Sequence, residues 1–93
     1  MLLCVTLWPR PGREADLIAY EDAVLDLLAD HGARVVQRLR TVEPADGPLE
    51  VQVLDVPSEE ALAAYMDDPR RLALAPARDA AVARTELLRV TAV

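Results

Sequence analysis

RVVQRLRTVEPADGPLEVQVLDV, residues 34–56, alternates along two segments and turns once between them. Arg34 to Val42 sets Val35, Gln37 and Leu39 against Val36, Arg38 and Arg40, the two-residue period of a strand with one apolar and one basic face. Leu49 to Val56 returns with Val51 and Val53 on one face and Gln52 and Leu54 on the other. Between them, Pro44-Ala45-Asp46-Gly47-Pro48 is turn chemistry, because proline withholds a ladder donor and glycine frees the backbone. The pattern predicts a hairpin, and the segments flanking it decide the fold.

On the N-terminal side, Leu17, Tyr20, Val24, Leu27, Leu28 and His31 recur at helical spacing opposite Asp16, Glu21, Asp22, Asp26 and Asp30. This predicts an amphipathic helix over 13–31, with Glu14 and Asp16 in its first turn and Gly32 as a left-handed stop. Leu2 to Trp8 is apolar on both alternating faces, which suits a central strand, and Pro9, Pro11 and Gly12 end it. On the C-terminal side, Pro57-Ser58-Glu59-Glu60 starts a short helix over 61–66, with the Ser58 hydroxyl as its cap. Asp68-Pro69 starts another over 69–84, which Pro76 should kink or split near Ala75. Thr85 to Val93 closes the chain as a strand, with Leu88 and Val90 opposite Leu87, Arg89 and Thr91.

Strand-helix-strand on each side of a hairpin predicts an α+β, ferredoxin-like βαββαβ domain spanning residues 1–93, with helices on one face of a four-stranded antiparallel sheet. The first and third strands, weakest in charge, should be central. Composition narrows the functional classes. A net charge of −6 without a basic run argues against nucleic acid. No stretch of about 18 apolar residues is present to cross a membrane. Leu2 to Trp8 lacks a basic leader, so it is read as structure and the protein as cytoplasmic. One cysteine, Cys4, agrees with a reducing compartment. All ten basic residues are arginine, a bias that GC-rich coding explains without phosphate recognition.

If Leu3, Val5, Leu7, Val35, Leu39, Val51, Val53, Leu88 and Val90 face the helices, the open face carries Cys4, Thr6, Trp8, Val36, Arg38, Arg40, Gln52, Leu54, Leu87 and Arg89. An apolar patch of that size calls for a partner, and a second copy meeting it sheet to sheet would enclose the arginines where only pairing or an anionic ligand keeps them. A homodimer with a polar-lined cavity follows.

The run His31-Gly32-Ala33-Arg34 entering an arginine-bearing strand, then Val56-Pro57-Ser58-Glu59-Glu60-Ala61, Tyr65, Asp68-Pro69 and Pro76-Ala77-Arg78, resembles a family of uncharacterised small bacterial proteins in the dimeric α+β barrel superfamily. The resemblance covers about residues 14–91. It implies the ferredoxin-like fold and a homodimer, in a superfamily that also contains antibiotic-biosynthesis monooxygenases, muconolactone isomerases and stress-responsive barrel proteins.

Arg38, Arg40 and Arg89 are the leading ligand-binding residues, since guanidinium is always charged and grips carboxylates bidentately, with Gln52 and Trp8 beside them; pairing with Glu50 or Glu86 is the structural alternative. His31, Tyr20 and Tyr65 are the candidates for acid–base or hydrogen-bonding roles, against a reading as a helix-end histidine and two packing tyrosines. Cys4 can be an inert strand residue or, beside an arginine, a reactive thiol. No metal-ligand set or cofactor motif is legible. Three readings stay open: a homodimer holding a small anionic or aromatic organic molecule between sheet and helices, a cofactor-independent monooxygenase or isomerase, and a non-catalytic interaction or regulatory dimer.

Overall fold

A computed structural model describes all 93 residues. The chain runs β1 (Leu2–Pro9), α1 (Glu14–Leu25), a 3₁₀ turn (Leu28–His31), β2 (Arg34–Arg40), β3 (Glu50–Asp55), α2 (Glu59–Met66), α3 (Pro69–Leu72), α4 (Ala75–Ala81) and β4 (Val82–Val90). The sheet is antiparallel throughout in the order β2-β3-β1-β4, so the first and third strands are central as their sequences require.

Local chemistry sets the element boundaries. The Ser58 hydroxyl accepts the Ala61 amide at 3.1 Å and caps α2, and the Asp68 carboxylate accepts the Arg70 amide at 2.9 Å ahead of Pro69 in α3. Pro76 splits the segment as anticipated, lying in the first turn of α4 where its missing N–H costs nothing. The first helix is shorter than its periodicity suggests: after Leu25 the hydrogen bonds tighten to i→i+3, as from Leu27 N–H to Val24 O and Asp30 N–H to Leu27 O. Gly32 ends that turn in the left-handed region at φ 70°. β4 begins at Val82, three residues earlier than expected, because Pro9 of β1 already pairs there, and Leu2 opposite Val90 is the last pair at the other end.

The core of Leu3, Leu17, Val24, Leu28, Leu54, Val56 and Tyr65 lies between the sheet and the helices. Here the structure corrects the expected faces. Leu3, Val5 and Leu7 point to the helices as expected, but their cross-strand partners are Leu54, Gln52 and Glu50, so Val51 and Val53 lie on the open side. In β2 the register shifts between Val35 and Gln37, an extra residue that turns Arg38 and Arg40 toward the helices and Leu39 outward. In β4, Leu87 pairs with Val5 and Arg89 with Leu3, which leaves Leu88 and Val90 outside. The open face therefore carries Leu2, Cys4, Thr6, Trp8, Leu39, Val51, Val53, Leu88 and Val90; Arg38, Arg40 and Arg89 are not on it, and its arginines are Arg34, opposite Asp55, and Arg84, opposite Trp8. A rule that sends apolar residues to the helices fails because both faces of this sheet are apolar.

Candidate functional site

Between the sheet and the helices lies a cavity of about 140 Å³. Leu3, Val5 and Leu7 form its floor, Tyr20, Glu21 and Val24 of α1 one wall, Gln52 and Leu54 the sheet side, and Tyr65, Arg71, Arg78 and Leu87 the rest. Its size suits a single ring, since a cavity of about 150 Å³ accommodates benzene.

The polar part of the wall is a chain of hydrogen bonds. The Gln52 amide nitrogen donates to Glu21 Oε1 at 2.7 Å and to Glu50 Oε2 at 2.6 Å. Glu50, fully buried, also accepts Arg38 Nε at 2.9 Å and Arg40 Nη2 at 2.8 Å, and Arg38 Nη1 reaches Asp22 at 2.6 Å. Burial pushes the Glu50 carboxyl up, but the bonds from Arg38, Gln52 and Arg40 together outweigh it and hold it below the usual carboxylate range. Glu21 has no arginine of its own. Burial raises its carboxyl above the usual range, Gln52 opposes the rise in part, and the charge of Glu50 adds to it. One amide thus joins two carboxyls driven in opposite directions.

The tyrosines close the cavity. Tyr65 donates its hydroxyl to the Val24 carbonyl at 2.9 Å, and burial pushes it up to about 12. Tyr20, 4% exposed, makes no hydrogen bond through its hydroxyl; burial raises it too, with the charges of Arg71 and Arg78 opposing. Arg71 lies 5.4 Å from the Tyr65 ring centre, and its Nε is buried without a partner. Seven of the ten arginines pair with carboxylates within 4 Å; the three that do not are Arg10, Arg71 and Arg78, and the last two line the cavity.

The residues singled out in the sequence scatter. Gln52, Tyr20 and Tyr65 come together on the cavity. Arg38 and Arg40 stand behind it, paired with Glu50, while Arg89 is held by Glu59 of α2 at 2.6 and 2.8 Å. Trp8 stacks under the Arg84 guanidinium, 4.5 Å from the ring centre, at a separate groove with Pro11 and Pro44. His31 lies behind Tyr65, edge to face at 5.8 Å, and is bound at 2.8 Å to Asp68, whose carboxyl Arg70 and His31 hold well below the usual range. No three His, Cys, Asp or Glu side chains converge for a metal ion. Sequence reading missed Glu21, Arg71 and Arg78. Glu21 sits four residues from Leu17, three from Val24 and seven from Leu28, so its position placed it on the buried stripe although its charge suggested solvent.

The architecture is that of a ferredoxin-like α+β protein with a cavity between its layers, and comparison with known proteins agrees. No protein-family model matches the chain, and no curated protein matches its sequence. Among solved structures, it is similar to a protein of unknown function from Rhodopseudomonas palustris, with 21% identity, 99% of this chain and 81% of that one covered, and a TM-score of 0.79. It is also similar to a NIPSNAP domain protein from Burkholderia xenovorans (22% identity, 99% and 95% covered, TM-score 0.71). A third is a dimeric protein of unknown function with a ferredoxin-like fold from Bacteroides fragilis (13% identity, 94% and 90% covered, TM-score 0.71). The resemblance to dimeric α+β barrel proteins read from the sequence thus holds at the level of the fold.

Proposed function

We propose that this is a homodimeric binding protein whose cavity between sheet and helices holds a small, one-ring organic anion. The observation that carries the reading is the pair of guanidiniums, Arg71 and Arg78, left without carboxylate partners at an apolar cavity in a chain of net charge −6. With acidic residues in excess, two arginines without a carboxylate partner at one site are available to a ligand carboxylate, which guanidinium binds bidentately. Tyr20 adds a free hydroxyl, and the apolar floor takes the ring. Arg38 and Arg40 enter this reading through Glu50, which they hold in place; Arg89 and Trp8 lie outside it.

Dimerisation belongs to the same reading. The uncovered apolar face is the complement a second copy needs, and the Bacteroides fragilis neighbour is dimeric. A cytoplasmic setting is part of the proposal, and no helix is long and apolar enough to cross a membrane.

Titration of the purified protein with benzoate, followed by thermal shift and calorimetry, tests the binding reading. Binding weakened about tenfold or more by Arg71→Gln, the scale expected for loss of a charged hydrogen bond, supports it. Equal binding by wild type, Arg71→Gln and Arg78→Gln, or none to wild type, overturns it. A cofactor-independent isomerase or monooxygenase is the second reading, favoured by one observation: Glu21, a buried carboxyl raised above its usual range, lines the cavity.

A further inference from the structure

Glu21 brings a second polar group to the same cavity. Glu21 is 5% exposed, and only its Oε1 is engaged, by Gln52 at 2.7 Å. The side-chain nitrogens and oxygens that are sealed from solvent and lack a partner are Arg38 Nη2 and Arg71 Nε alone. Glu21 Oε2 makes no hydrogen bond and is not sealed, and its residue lines the cavity. The neighbouring groups do not satisfy it: Glu50 is occupied by Arg38, Arg40 and Gln52, Tyr65 donates to Val24, and Arg71 acts on Glu21 only through its charge. An accessible carboxyl oxygen on so buried a residue, with no protein donor, can accept from a ligand donor whether the carboxyl carries a proton or not.

We infer that Glu21 is a donor-recognition residue of the cavity, accepting a hydrogen bond from a ring hydroxyl, so that the ligands are one-ring hydroxy-carboxylates. This rests on the binding reading above and narrows its ligand class. Gln52 is the positioning residue, fixing the Glu21 carboxyl against the arginine-held Glu50.

Calorimetry with benzoate, 4-hydroxybenzoate and 4-methoxybenzoate tests it on wild type and on Glu21→Met, which removes the acceptor with little change in volume. Wild type should bind 4-hydroxybenzoate about tenfold or more tightly than either analogue, the factor expected of one hydrogen bond to a charged or strongly polar acceptor. Glu21→Met should bind all three within about twofold of each other, the advantage of the hydroxyl being lost. Benzoate binding with no advantage for the hydroxyl in wild type overturns the inference and leaves the cavity reading standing. Failure of all three to bind wild type overturns both. The wild-type comparison decides even if Glu21→Met does not fold.

Discussion

Glu21 and Glu50 lie on one amide, yet their stability terms run in opposite directions with pH. Glu50 has a folded-state pKa below its unfolded value, so its contribution is present above about pH 4.5 and is lost as the pH falls through the folded value. Glu21 has a folded-state pKa above its unfolded value, so its contribution is complete below about pH 4.5 and is lost as the pH rises through the folded value. Urea unfolding from pH 4.5 to 8 should show Glu21→Gln gaining on wild type as the pH rises, since a neutral amide keeps the contact with Gln52 without burying a charge. A constant difference across that range would mean that Glu21 is not perturbed. The same residue shows why the site was only partly legible. Its charge argued for solvent and its spacing for the core, and a buried carboxyl is tolerated there only because Gln52, thirty-one residues away, supplies a donor. Arg71 and Arg78 gave no signal, since being unpaired is a property of their surroundings and not of their neighbours in sequence.

Elements carry their own punctuation. Gly32 closes the 3₁₀ turn at φ 70°, and a Cβ added there would stand 3.2 Å from Pro57 Cγ, the residue that precedes the Ser58 cap of α2. Gly32→Ala should therefore cost about 1–2 kcal/mol through the left-handed backbone alone, a fall in melting temperature of roughly 4–16 °C for a chain this size. A change under about 1 °C in differential scanning calorimetry would show that the turn relaxes without cost. The helix starts at Ser58, Asp68 and Pro76 were legible because each is a short-range hydrogen-bonding or steric event completed within four residues. The β2 register shift was not, because one extra residue in a ladder is defined only against the partner strand.

At the scale of the molecule, the rows Gln37–Val53–Cys4–Leu88 and Leu39–Val51–Thr6–Glu86 cross the uncovered face of the sheet. Leu39 and Leu88 are about half exposed, at 48% and 56%, so burial against a second copy is the main gain open to this small fold. Light scattering at micromolar concentration should give twice the chain mass for wild type and the single-chain mass for Val53→Asp, with the far-UV circular dichroism retained. A wild-type protein of single-chain mass would refute the dimer.

The order of strands and helices, the hairpin, the caps and the central place of β1 and β3 were determined by the sequence alone, because they rest on periodicity and on residues that constrain their own backbone. Which face of β2, β3 and β4 meets the helices was decided only in three dimensions. Apolar residues on both sides leave the pleat without a preferred direction, and the choice falls to the bulge after Val35 and to the Glu21–Gln52–Glu50–Arg38 hydrogen bonds, which form only when β2 and β3 turn their polar side inward.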